Sequence, residues 1–208
     1  MIGELIPPPQ LFLVIGHGEQ LELLRRLIHI SGIFTVVLSR VIGTTAVTLI
    51  LFLLIAVYII SEYFRLHNRH LPIITTITNF SARREELSTW ILCPISYAAG
   101  ILIALNVFPE PINYATIAVL TVGDGFSSLV GTKCGRHVLP HNRNKTVEGS
   151  TAFFLSSLMT TLIFVNPIVA VLGSVVGTIA ESFDTGKLEN VIVPIGSGFC
   201  MGLSLLGM

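Results

Sequence analysis

Charge is scarce in this sequence: only 12% of its 208 residues are Asp, Glu, Lys or Arg, about half the share found in a soluble domain. Net charge is missing as well, because twelve basic residues offset twelve acidic ones. That removes any bulk electrostatic case for nucleic acid as a partner. Cysteine is limited to Cys93, Cys134 and Cys200, far apart and without CxxC or Cys/His spacing, so neither a disulfide framework nor a thiolate metal site is expected. No GxxxxGK[ST] loop, GxGxxG turn or HRD/DFG set occurs, which excludes the common soluble nucleotide-binding folds. No internal repeat or low-complexity tract is visible. A signal peptide is not expected either, since Glu4 precedes the first basic residue, Arg25.

Apolar length is what the chain has in quantity. Hydrophobic residues make up 52% of it, and the mean hydropathy is +0.81. A bilayer core of ~30 Å needs about 20 apolar residues per helix. Such runs fall near 23–39, 42–61, 88–108, 112–132, 149–165, 167–181 and 190–207. They predict an all-α fold, a polytopic transmembrane helical bundle of about seven spans. The first run is the weakest, because it holds Arg25, Arg26 and His29. Breaks fall at Arg40 with Gly43, at Pro109-Glu110-Pro111 and at Asn166-Pro167. Residues 1–20, with Pro7-Pro8-Pro9 and a short apolar LFLVI, read as an interfacial arm. Residues 21–208 then form a single transmembrane domain.

The few charges are gathered on one side. With seven spans, one face receives the arm and the loops near 62–87, 133–148 and 182–189. All the bases except Arg40 fall there or at adjacent helix ends, whereas Glu110 is on the opposite face. The positive-inside rule makes the charged face cytoplasmic, with the N-terminus in and the C-terminus out. The expected location is a plasma membrane or an ER-type membrane. Plain connectors would not require acids to collect beside the bases, so a site on the cytoplasmic face is expected.

Four clusters carry chemistry. The first is Thr121-Val-Gly-Asp-Gly-Phe-Ser-Ser-Leu-Val-Gly131. At 1.5 Å per residue, Asp124 lies about 18 Å into a helix entered near Ile112. A carboxylate there is costly in lipid and implies a metal, a partner charge or a proton. Asp124, Ser128, Gly131 and Gly135 share one helical face, and Gly123, Ser127 and Gly131 form a small-residue ridge beside it. The second is the loop from Lys133 through Arg136, Asn142 and Arg143 to Lys145, Thr146 and Glu148. Its positive charge and the helix start near Thr146 favour an anion such as a triphosphate; the plainer alternative is a Lys145–Glu148 surface pair. The third is Gly173-Ser174-Val-Val-Gly177-Thr178-Ile-Ala-Glu181, followed by Asp184 and Glu189-Asn190-Val-Ile-Val-Pro194. Glu181 could face Asp124, and paired carboxylates near phosphates usually hold Mg²⁺. The fourth joins Glu22, Arg25, Arg26 and His29 with Glu62 and Arg65. Its bases either snorkel to the interface or clamp phosphates.

The run GDGFSSLVGTKCGRHVLPHNRNKTVEGS resembles the signature of the CTP-dependent lipid-alcohol kinases. That family includes dolichol, phytol and other polyprenol kinases and the fungal CTP-dependent diacylglycerol kinase. The resemblance rests on Gly123-Asp124, Ser127, Gly131 and Lys145-Thr146-Val147-Glu148-Gly149. Glu22…Arg25-Arg26…His29 resembles the family's E-x-x-R-K-x-x-H segment. Glu181 and Asn190…Pro194 match its late pattern, with Glu189 where Asp is usual. It implies transfer of the γ-phosphoryl of CTP to the hydroxyl of a lipid alcohol of dolichol, polyprenol, geranylgeraniol or phytol type, with Mg²⁺ or another divalent cation. On this reading Asp124, Lys145 and Glu148 act in catalysis, and Asp124, Glu148 and Glu181 hold the metal. Gly123, Gly131, Lys133, Arg136, Asn142, Arg25, Arg26 and Asn190 surround the nucleotide. The small-residue ridges would leave a lateral cleft for the isoprenoid tail.

Two other readings bear comparison. A CTP:phosphatidate cytidylyltransferase shares a K-T-x-E-G loop, but its Gly-His-Gly-Gly…Asp-Arg-x-Asp run is missing from the closing ENVIVPIGSGFCMGLSLLGM. A secondary transporter would show inverted repeats, and none is visible.

Overall fold

The computed structural model describes residues 23–67, 69, 89–183 and 186–206. The arm expected over residues 1–20, together with Glu22 and Asp184, lies outside the described residues. The described chain is mostly helical, and each of the predicted apolar runs contains a helix. We label these α1 (residues 23–31), α2 (Phe34–Ile42), α3 (Thr44–Leu66), α4 (Cys93–Val107), α5 (Ile112–Cys134), α6 (Val147–Thr161), α7 (Pro167–Ser182) and α8 (Glu189–Leu206). Two of them, α3 and α5, are long and apolar enough to cross a membrane, with mean hydropathies of 2.4 and 1.3.

The helix boundaries follow local chemistry. Gly43, at φ 90°, separates α2 from α3 in a conformation that side chains disfavour. Asn166 caps α7 by accepting from the Val169 amide at 3.0 Å, and Pro167 fills the first turn, where no amide partner is needed. Thr146 caps α6 by accepting from the Gly149 amide at 3.1 Å. Inside α5 the residues Val119–Gly123 form a π-turn that ends at Asp124. Such turns are rare and frequently mark functional positions. A two-stranded hairpin, β1 (Val138–Leu139) and β2 (Asn142–Thr146), stands where a plain loop was expected.

Large apolar side chains face outward on several helices, while hydroxyls turn inward. Leu53, Met159, Ile163 and Leu203 are exposed, while Thr116, Ser157, Thr161, Ser174 and Ser197 are buried. Several of those hydroxyls donate to carbonyls of their own helix, as Ser157 does to Phe153 at 2.6 Å and Ser197 to Val193 at 2.8 Å. Small residues let the helices approach. A β-carbon on Gly149 of α6 would stand 3.3 Å from Cα of Gly131 on α5. Pro194 inside α8 has no amide to offer the Asn190 carbonyl one turn back. That carbonyl instead lies against Gly100 of α4, where an added β-carbon would come within 2.0 Å of it.

The ends of the bundle differ in charge. At one end Arg40 stands 5.0 Å from the Tyr114 ring and 5.7 Å from the Phe164 ring, and the Tyr114 hydroxyl donates to Glu110 at 2.6 Å. The other end collects the C-terminal part of α5, the hairpin, the start of α6, the end of α7 and the start of α8.

Candidate active site

Five elements deliver side chains to the charged end. His29 comes from α1, Asp124 from α5, Lys145 from β2, Glu181 from the last turn of α7 and Glu189 from the first turn of α8. The π-turn sets the rotation of the α5 segment that follows it, and so fixes where Asp124 points. Asp124 Oδ2 lies 3.0 Å from His29 Nε2. The His29 ring stacks at 4.0 Å on Tyr97 of α4, whose hydroxyl donates to the His29 carbonyl. Arg26, one turn earlier, donates to Thr132 at 2.7 Å and ties α1 to α5.

Lys145 joins the remaining carboxylates. Its Nζ lies 2.7 Å from Glu181 Oε1 and 2.5 Å from Glu189 Oε1. Glu181, only 1% exposed, also accepts from the Ser127 hydroxyl at 2.7 Å. Burial opposes the charged form of Lys145, but Glu189 and Glu181 outweigh it and hold the ammonium above its ordinary value. Burial pushes the Glu189 carboxyl up to about 7, and the Asp124 charge acts in the same direction. Asp124, Glu181 and Glu189 present oxygen atoms all within 4.8 Å of one another. The three donors are carboxylate oxygens, with no thiolate or imidazole, and this set fits a hard divalent cation such as Mg²⁺.

Among the residues expected to act together, the structure unites Asp124, Lys145 and Glu181. Glu148 points elsewhere. Its Oε1 lies 2.7 Å from His137 Nδ1 and its Oε2 accepts from the His137 amide at 3.3 Å, which joins the entry of the hairpin to the start of α6. The hydrogen bond from His137 holds its carboxyl down at about 2. Asn142 is buried and acts as an anchor, donating to the Ser182 carbonyl at 3.0 Å and accepting from the Asn144 amide at 3.0 Å. Asn190 donates to the Ser96 hydroxyl at 3.2 Å, between α8 and α4. Gly123 backs onto Phe153, and Gly131 onto Thr146 and Gly149. Lys133 in the last turn of α5 and Arg136 just beyond it are exposed, whereas Arg25 is half-buried on α1.

Two residues outside the expected catalytic and metal-binding set belong to this cluster, His29 and Glu189. Both stood in the charged clusters singled out in the sequence, His29 beside Arg25 and Arg26 and Glu189 after Glu181, and in segments that carried the family resemblance. The small-residue ridges do not form the open cleft expected of them. Gly131 packs on Gly149, Phe153 fills the space beside Gly123 and Gly177, and Met201 the space beside Gly173. An apolar groove of about 280 Å³ lies instead between α3 and α4, lined by Leu51, Ile55, Tyr58, Pro94 and Ala98 among others.

Comparison with known proteins adds independent support. The chain is 32% identical over 91 residues to the probable phytol kinase 3, chloroplastic, of Glycine max, covering 43% of this chain and 27% of that protein. It is 35% identical over 91 residues to the farnesol kinase, chloroplastic, of Arabidopsis thaliana, covering 41% of this chain and 28% of that one. It is 26% identical over 133 residues to the CTP-dependent diacylglycerol kinase 1 of Schizosaccharomyces pombe, covering 55% and 61%. The matched stretch spans about a quarter of the length of the phytol kinases, for which the covered shares are 27%, 23% and 25%. No family model matches the chain, and no solved structure does. These relatives bear out the resemblance to the CTP-dependent lipid kinases that the motifs carry.

Proposed function

We propose that this chain is a CTP-dependent lipid-alcohol kinase, which transfers the γ-phosphoryl of CTP to the hydroxyl of an isoprenoid alcohol at the cytoplasmic face of a membrane. On this reading it spans the bilayer about seven times, with the N-terminus in and the C-terminus out. One observation carries the proposal. Asp124 and Lys145, from the two halves of the kinase-like motif, meet Glu181 and Glu189 in a single cluster. The phytol, farnesol and diacylglycerol kinases among the relatives support a lipid alcohol as the acceptor class.

Phosphoryl transfer depends on positioning and on neutralising the charge of the transferred group. Asp124, Glu181 and Glu189 would hold the divalent cation, which when bound draws charge from the phosphate oxygens. Lys145 supplies positive charge beside the same oxygens, and Lys133, Arg136, Arg25 and Arg26 extend it toward the rest of the triphosphate. Asp124 accepts the proton of the acceptor hydroxyl, with His29 fixing the carboxylate's orientation. The groove between α3 and α4 would take the tail, since its Pro94 and Ala98 flank Tyr97, the partner of His29.

The test is a turnover assay on purified protein, with CTP or ATP labelled at the α or the γ phosphate, against phytol, farnesol, geranylgeraniol, dolichol, diacylglycerol and phosphatidate. A kinase releases CDP and leaves one labelled phosphate on the lipid. Release of pyrophosphate with a cytidylyl group on the lipid would instead establish a cytidylyltransferase.

A further inference from the structure

Lys145 lies where a cation bound by Glu181 and Glu189 would have to sit. Its ammonium bridges Oε1 of both carboxylates at 2.7 and 2.5 Å. Glu181 Oε1 also takes the Ser127 hydroxyl at 2.7 Å, so both lone pairs of that oxygen are already used. The arrangement has a clear physical reason. Glu181 is 1% exposed, and a carboxylate that dry requires a counter-charge. Glu181 and Glu189 are nevertheless two carboxylates on one ammonium, while Asp124 beside them has His29 at 3.0 Å. Mg²⁺ holds oxygens at about 2.0–2.1 Å, so oxygen atoms that lie within 4.8 Å of one another stand close enough to share one ion.

We infer that Lys145 is a resident counter-ion of the Glu181–Glu189 pair, and that a divalent cation displaces it and frees its ammonium for the phosphates of the incoming nucleotide. This rests on the metal-site reading above and deepens it. An ion held by Oε1 of both carboxylates and the ammonium cannot share one gap, and a doubly charged ion would be the stronger counter-charge for the pair. Lys145 can leave because it projects from β2, beside the exposed Arg143 and Asn144 of the hairpin, on a stem of four methylenes. Asn142, anchored to Ser182, keeps the strand itself in place. Cation binding would therefore precede and prepare the grip on the phosphates, and the same lysine would serve the empty and the loaded site in turn.

The experiment uses the full chain in detergent without nucleotide. Mn²⁺ binding is read by electron paramagnetic resonance, and acetic anhydride labelling of Lys145 is read by mass spectrometry with and without Mn²⁺. Exposed Lys133 is the internal standard. The expected result is a severalfold rise in Lys145 labelling on saturation with Mn²⁺, at constant Lys133 labelling. Removing one positive charge from beside the ion should also let Lys145→Met bind Mn²⁺ at least ~10-fold more tightly. If Mn²⁺ binds and Lys145 labelling stays level or falls, the displacement is overturned while the metal site stands. If Mn²⁺ binds neither wild type nor K145M, the metal-site reading falls, and the inference with it.

Discussion

Glu189 Oε1 lies 2.5 Å from Lys145 Nζ, although 44 residues separate them in sequence. This contact makes Glu189, rather than Glu148, the third carboxylate of the cluster. The two residues should therefore respond differently to the same change. Glu189→Gln removes one of three charges on the proposed cation and should weaken Mn²⁺ binding by about 10-fold or more. Glu148→Gln should leave it within about twofold, because outward electrostatics are screened by solvent. Isothermal titration with Mn²⁺ separates the cases, and equal losses would return Glu148 to the metal site.

Asn142→Ala should weaken the hold on the nucleotide without weakening that on the cation. Loss of its bond to the Ser182 carbonyl loosens the hairpin that carries Lys145, at a cost of about 1 kcal/mol for one neutral hydrogen bond. The expected outcome is a KM for CTP raised several-fold, with Mn²⁺ affinity undiminished. A matching drop in Mn²⁺ affinity would mean that Asn142 shapes the carboxylate cluster itself.

Sequence reasoning reached part of this site, and particular residues show why it stopped there. Asp124 and Glu181 were legible because a charge in an apolar run needs a partner, and Lys145 because it stands in a basic loop just before a helix start. Glu148 looked equivalent to them, since its place at a helix start beside Lys145 says nothing of where its side chain turns. Only the fold reveals that His137 claims it. The π-turn over Val119–Gly123 is equally hidden, because VLTVG reads as ordinary apolar helix. The hairpin was read as loop because its short strands lack alternating apolar residues, and part of what holds it is a tertiary contact to Ser182. The helices themselves were the easy part, since run length and breaks at Gly43, Pro109 and Pro167 carry that information locally.

Gly100→Ala should destabilise the protein through backbone crowding. The added β-carbon would come within 2.0 Å of the Asn190 carbonyl, the group that Pro194 leaves without an amide partner. Overpacking of this kind costs about 1–3 kcal/mol. It would also push the start of α8, and with it Glu189, away from Lys145. The midpoint of thermal unfolding in detergent should fall, and activity should fall further than stability explains. An unchanged midpoint would mean that α4 and α8 are farther apart than described.

Glu62 and Arg65 form a separate ion pair, remote in role from the cluster. Glu62, 1% exposed, receives Arg65 at 2.6 Å and the Ile91 amide at 2.8 Å, and Arg65 also donates to the Thr89 carbonyl at 2.6 Å. Removing one partner of a buried pair costs about 3–5 kcal/mol. Arg65→Met should therefore lower the unfolding midpoint sharply while leaving Mn²⁺ affinity intact in the folded fraction. Loss of Mn²⁺ binding at full stability would instead tie Arg65 to the active site.

The central claim is that Asp124 stands at the centre of a phosphoryl-transfer site. It is tested most directly by following γ-labelled CTP with phytol or a related lipid alcohol, comparing wild type with Asp124→Asn. The account predicts label on the lipid and release of CDP for wild type, and no detectable transfer for the variant at unchanged elution volume and helical content. Transfer by Asp124→Asn at the wild-type rate would contradict it.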